Sequence, residues 1–280
     1  MTFEVKIIED SIFNGSRLTT FQLKYPRFIH SEFMTHRVFS RNASSSRAIP
    51  VSKMIEQVRN DPATPIHWGM NERGMQASKE LQEDEAKYVQ GLWKDSAILA
   101  ASLAERMEKL NAHKQVVNRI LEPFQWISVV CTATEYQNFF DLRCHKDAQP
   151  EIQHLANMMK EAYTRQNPKE LKEGMYHLPY VSEEERQKFN TFDLVKMSAA
   201  RCARVSYLTH DGKNPSPEKD FELYERLVGS VPIHASPTEH QAKPNVEGPH
   251  GWYSRVHSGN FSLSWMQFRK FLEYGEKDLF

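Results

Sequence analysis

The chain has 280 residues, 40% hydrophobic and 11% aromatic, enough for one large packed domain or two small ones. Its 36 Lys and Arg balance 36 Asp and Glu, so no global basic field exists to hold a nucleic-acid backbone, although a local pocket for one mononucleotide stays open. No apolar run approaches the roughly 20 residues of a membrane span, the N-terminus lacks the order of a signal peptide, and three cysteines without a CxxC argue against a disulfide framework or zinc site and for a reducing compartment.

Residues 3–8 and 18–24 have β-like composition and partial alternation, which predicts two strands. Pro26 breaks the second, and Phe28, Ile29, Phe33 and Met34 predict a short helix leading into His36. Residues 35–47 then read Thr-His-Arg-Val-Phe-Ser-Arg-Asn-Ala-Ser-Ser-Ser-Arg. Guanidinium forks and hydroxyls this close together can grip a phosphate, and a basic polar surface loop is the plain alternative. Pro62, Pro65, Gly69 and Gly74 mark residues 60–74 as loop. From Leu81 to about Asn111 there is no Pro, and Val89, Trp93, Ala97, Ala100 and Ala104 predict a long amphipathic helix. The apolar, β-branched run Trp126 to Thr132 predicts a buried strand. Glu151 to Tyr163, following Pro150, predicts a helix with Ile152, Leu155, Ala156 and Met159 on one face. Residues 166–194 are mostly polar, with Pro168 and Pro179, and read as a surface excursion. Apolar patterning returns over 195–209, and Lys219 to Val228 predicts a short helix stopped at Gly229. The aromatic stripe of residues 259–269 reads as core or subunit packing. The 12 histidines show no HxxxH or HExxH spacing, so no metal site is expected. This order of elements predicts an α/β or α+β fold.

Four segments resemble the flavin-dependent thymidylate synthases. Phe21-Gln-Leu-Lys-Tyr-Pro through Thr35-His-Arg-x-x-Ser and on to Ser45-x-Arg47 is similar to that family's Phe-His-Val-Lys-x-Pro, Arg-His-Arg-x-x-Ser and Ser-x-Arg. Asn118-Arg119-Ile-Leu-Glu-Pro123 resembles its Ala-Arg-x-x-Leu-Pro. Asn138-Phe-Phe-Asp-Leu-Arg143 with Ala148-Gln-Pro-Glu-Ile152 resembles its Asn-Phe-Leu-x-Leu-Arg and Ala-Gln-x-Glu-Ile. Ala203-Arg-Val-Ser206 with His234-Ala-Ser-Pro-Thr-Glu-His240 resembles its Ala-Arg-Val-Ser and His-x-Thr-Pro-Phe-Glu-His. In the family this last pair opens the chain; here it lies near the C-terminus, which reads as a circular permutation. His234 is then expected near His36. Residues 166–194 and 245–280 have no match and are expected as peripheral additions to a single domain spanning 1–280.

The resemblance implies an α+β fold, a mixed sheet flanked by helices. It also implies a thymidylate synthase that transfers a one-carbon unit from methylenetetrahydrofolate to C5 of dUMP, with reduction by FADH2 that NADPH regenerates. Arg143 matches the cation that stabilises negative charge on the pyrimidine, and an arginine paired with Asp141 or Glu151 is the plain alternative. Ser45, Ser46, Arg47, Arg119 and Glu32 match substrate-binding positions. His36, Arg37, Val38, Asn138, Ser206, His234, Ser236 and Glu239 match flavin-binding positions, whereas His240 reads as structural. Thr35, Ala43, Glu32, Thr132, Thr134 and Asp147 depart from the family pattern. They leave open a related C5 modification such as hydroxymethylation, a cytosine base, or a binding protein without catalysis. A homotetramer with shared active sites is implied, in the cytoplasm or, for a viral chain, the host cytoplasm.

Overall fold

The computed structural model describes residues 3–206, 216–246, 255–277 and 280. Strands β1 (Glu4–Phe13) and β2 (Ser16–Pro26) form an antiparallel hairpin. Asn14 and Gly15 join them, both at positive φ (47° and 71°), the backbone that a two-residue hairpin turn requires. Pro26 is the last residue of β2, and a 3-10 turn, Arg27–Ile29, leads into the single-turn helix α1 (His30–Phe33). Two elements not predicted from the sequence come next: Ser40–Ala43 forms an edge strand, β3, and Val51–Asn60 forms helix α2, whose Val51, Met54, Ile55 and Val58 recur at helical spacing after Pro50. The long helix α3 (Glu83–Lys109) and the short α4 (Lys114–Val117) precede β4 (Trp126–Ala133), α5 (Gln137–Arg143) and α6 (Pro150–Arg165). The chain continues with β5 (Lys169–Glu170), α7 (Glu183–Lys188), α8 (Thr191–Ala203), α9 (Pro217–Val228), β6 (Ala242–Pro244), β7 (Trp265–Gln267) and α10 (Phe268–Glu273).

The main sheet runs β3-β4-β2-β1-β5; only the β1–β5 pair is parallel, so the sheet is mixed and the fold is α+β, as the resemblance implied. Strand alternation sends Phe21, Leu23 and Tyr25 of β2 and Ile127, Val129 and Cys131 of β4 to one face. There they pack on Phe33, Phe39, Phe139 and Phe140 and on the apolar face of α6. The opposite face is also covered, and there Leu18 and Val130 share the interior with polar side chains. Ser11, His177, Thr20, Thr132 and His240 form one continuous hydrogen-bonded chain, with links of 2.9, 2.8, 2.7 and 2.8 Å. All five are fully buried.

His177 falls within residues 166–194, so the expectation of a surface excursion there is corrected. Leu171, His177 and Leu178 are interior, because the polar surroundings hide a few residues that close the second face of the sheet. In residues 259–269, Trp265 and Phe268 are fully buried, so that stripe is core. Apolar residues of 195–203 belong to α8, which is buried almost all round and packs on α9 and α10. Gly229 caps α9 at φ −75°, not in a left-handed turn; glycine is needed because a Cβ there would lie 2.6 Å from the Glu225 carbonyl oxygen.

Helix α3 buries Ala97, Ala101 and Ala104 against α2. Its outer face carries Tyr88, Leu92, Leu99 and Leu103, exposed by 70, 47, 61 and 42%. Spacings of 4, 7 and 4 put these on one stripe about 22 Å long at 1.5 Å per residue. Among the described residues, no helix is long and apolar enough to cross a membrane.

Candidate active site

Arg143 closes α5, and its guanidinium reaches back to the segment after β2. Nε donates to His36 Nε2 at 3.0 Å, one terminal nitrogen to Glu32 Oε2 at 3.3 Å, and the other to Thr35 Oγ at 3.3 Å. The plain alternative, a pair with Asp141 or Glu151, does not form: Asp141 accepts from Gln137, and Glu151 accepts from the Ile66 backbone. α1 and the turn after it present these partners together. The Thr35 hydroxyl donates to the Glu32 carbonyl at 2.7 Å and so closes that turn. Arg41 braces it from β3 by donating to the carbonyls of Met34 and His36 at 2.9 and 3.0 Å. His36 itself is buried between Phe39 and Phe139, at ring distances of 5.7 and 4.9 Å. Burial, with the charges of Arg143 and Arg41, lowers its pKa to about 4, so the ring is neutral and accepts at Nε2.

A second feature is a cavity of about 400 Å³ lined by Asn42 of β3, Ser45, Arg47 and Ala48 after it, Lys114 and Gln115 of α4, Ala203, Leu227, and His234, Ser236 and Pro237. Among the described residues, no carboxylate lines it, whereas two basic side chains, Arg47 and Lys114, do. Segments about 190 residues apart in sequence meet here directly, since Ser236 Oγ donates to Asn42 Oδ1 at 3.2 Å. Gln267 adds a second tie across the same region, donating to Ser40 Oγ at 3.1 Å and to the Glu239 carbonyl at 2.9 Å.

Ser45, Arg47, His234 and Ser236 therefore share one cavity, while Glu32, Arg143 and His36 form a separate cluster. The other expected site residues sit elsewhere within the chain. Ser46 is buried and turned to Glu122, which also pairs with Arg27 and with the exposed Arg119. Arg37 and Val38 are exposed on the turn after His36, and Asn138 is exposed on the first turn of α5. Glu239 is paired with Arg269. Ser206 ends a 3-10 turn, Arg204–Ser206, and its side chain lies outside the described residues. Thr132 belongs to the buried polar chain, Thr134 accepts from the Ser262 backbone, and Asp147 pairs with His145. Sequence reasoning missed Asn42, Lys114 and Gln115. The signal for Lys114 was a second basic residue five positions before Arg119.

The family model described as thymidylate synthase complementing protein matches residues 10–169, more than half of the chain. Among solved structures, the chain is similar to a UMP/dUMP methylase, PolB, from Streptomyces cacaoi bound with 5-Br UMP. That match has 14% identity and a TM-score of 0.50 and covers 59% of this chain and 89% of that one. The same methylase bound with 5-Br dUMP matches at 15% identity and a TM-score of 0.49, covering 59% and 90%. Comparison with curated proteins finds no match. On the family match, the chain belongs to the thymidylate synthase complementing protein family, the flavin-dependent thymidylate synthases.

Proposed function

We propose that this protein modifies C5 of a dUMP-like pyrimidine nucleotide, taking a one-carbon unit from methylenetetrahydrofolate as a flavin-dependent thymidylate synthase. The observation that carries the reading is the carboxylate-free cavity shared by Ser45, Arg47, Lys114, His234 and Ser236. Two cations among hydroxyl and amide donors suit a phosphate dianion, and apolar walls from Ala203, Leu227 and Pro237 raise the strength of those contacts. Ser45, Arg47 and Lys114 would hold the nucleotide phosphate. His234 and Ser236 on the other side of the cavity would contact the flavin, whereas His36 is turned inward onto Arg143 and Glu239 is taken by Arg269. A reduced flavin, when bound, supplies the hydride that converts the transferred methylene to a methyl group, and NADPH restores it. Arg143 holds a positive charge where the pyrimidine ring must carry negative charge for C5 to act as a nucleophile.

Glu32 admits a second reading of the base. A carboxylate only accepts hydrogen bonds, so beside Arg143 it suits either N3–H of uracil or the amino group of cytosine. Tritium release from C5 of dUMP against dCMP decides between them. Retention of a visible flavin band after removal of excess FAD tests the cofactor. No release from either nucleotide, with the protein folded, would sink the catalytic reading.

The phosphate assignment has its own test. Lys114→Ala and Arg47→Ala should each weaken binding of the nucleoside monophosphate by roughly 10- to 100-fold, the worth of a charge-assisted hydrogen bond. Binding of the corresponding nucleoside should stay unchanged. Equal losses for both ligands in calorimetry would place the phosphate elsewhere.

The meeting of Asn42 with Ser236 supports a permuted chain order, with one domain built from both ends of the sequence, while His234, expected near His36, lines the cavity and not the cluster around His36. Arg119 is exposed, pairs with Glu122 and does not line the cavity within one chain, which suits a site completed by a neighbouring subunit of a homotetramer. The exposed stripe Tyr88, Leu92, Leu99 and Leu103 is the face we assign to subunit contact. Leu99→Glu with Leu103→Glu should shift the protein to monomers in sedimentation velocity and remove activity. Unchanged sedimentation would rule that face out.

A further inference from the structure

We propose that His36 and Thr35 are positioning residues that aim the guanidinium of Arg143, leaving one N–H on each terminal nitrogen for a bound pyrimidine. The inference rests on the reading of Arg143 as the cation that meets the base.

A guanidinium has five N–H bonds in a rigid plane. Three are used here: Nε–H on His36, one terminal N–H on Glu32 and one on Thr35. Five less three leaves two, one on each terminal nitrogen. Because the three partners lie within a five-residue segment, they fix both the position and the rotation of the plane. Glu32 alone could not do so, since its carboxylate is more than a third exposed and free to turn.

His36 is the stiffest of the three supports. Its ring cannot rotate away without breaking its packing on Phe39 and Phe139, and its backbone lies in the turn that Arg41 braces through three carbonyls. Acceptance at Nε2 requires the neutral ring with its proton on Nδ1. The charged groups acting on the ring are Arg143 from α5 and Arg41 from β3, and both oppose protonation; Glu32 meets the far side of the same guanidinium. Thr35 is used fully: its hydroxyl donates to the Glu32 carbonyl and accepts from Arg143. An alanine there would lose both bonds, whereas a serine would keep them.

The test combines a spectroscopic readout with kinetics on the full chain. With 15N-labelled histidine, His36 should titrate near pH 4 with its proton on Nδ1 at neutral pH. Arg143→Met, which removes charge and donor but keeps the length, should move that titration upward by part of the shift, since burial and Arg41 still lower it. For C5 tritium release, His36→Ala should lower kcat by about 30-fold or more while nucleotide KM changes little, as expected for a misaimed group. His36→Gln, which restores an acceptor, should recover most of that loss. An unmoved His36 titration in Arg143→Met, or a folded His36→Ala protein with full kcat, would overturn the inference. If His36→Ala does not fold, the titration in Arg143→Met still decides. Full turnover by Arg143→Met would instead defeat the reading of Arg143 itself, so the two failures are distinct.

Discussion

Replacing Arg143 by alanine should lower C5 tritium release by at least about a hundredfold, the usual cost of removing one preorganised charge-stabilising donor. The fold should persist because of where the residue sits. Arg143 lies at the C-terminal end of α5 with part of its side chain in solvent, and its ion pair with Glu32 is 3.3 Å long and partly exposed. Such pairs contribute at most about 1 kcal/mol. Water can solvate Glu32 once the guanidinium is gone, and the ring packing of His36 on Phe39 and Phe139 does not depend on it. Arg143→Lys should be nearly as inactive, because a single ammonium on a flexible stem cannot reproduce three bonds in one plane. The measurement is turnover beside a urea unfolding curve. Full activity in a folded Arg143→Ala protein would sink the assignment.

The elements carrying a strong period were legible in the sequence. The long helix was expected from Leu81 to about Asn111 and spans Glu83–Lys109, and the buried strand from Trp126 runs one residue past its expected end at Thr132. One legible element went unpredicted, α2, whose Val51, Met54, Ile55 and Val58 recur at helical spacing; the rest that escaped was structure whose cause is tertiary. Ser40–Ala43 has polar, strand-poor composition and becomes β3 because β4 offers it a free edge. His177 is one buried residue in a polar stretch, and its partners Ser11 and Thr20 come from two other strands. Arg143 could be picked out by its motif, but its partners could not, since α5 and the turn at residues 32–36 are brought together only by folding. The family match ends at residue 169, yet Ser236 reaches Asn42. Proximity between chain ends is a property of the fold that no local pattern carries.

The buried polar chain makes the protein acid-sensitive. His177 and His240 are fully buried, and burial holds the pKa of His177 well below 6.5 and lowers that of His240 to about 3. In the unfolded chain both would titrate near 6.5. The unfolded state therefore binds more protons below pH 6.5, and the stability that neutral histidines confer is complete above that pH and lost as pH falls below it. Between pH 7 and 5 the two should cost about 4 kcal/mol together, a large share of an ordinary domain's stability. His30 and His36, lowered to about 4 mainly by burial, act in the same direction. Glu9 runs the other way. Burial, only partly offset by Arg186, raises it to about 7, so its protonation on acidification returns roughly 2 kcal/mol. The net expectation is a loss of at least about 2 kcal/mol between pH 7 and 5, read as a lower urea midpoint. His240→Asn keeps a polar partner for Thr132 but removes the titration, so its midpoint should fall less over the same interval. Equal pH dependence in the two proteins would mean that His240 takes up its proton without leaving the fold, through the Nε2 atom that has no partner among the described residues.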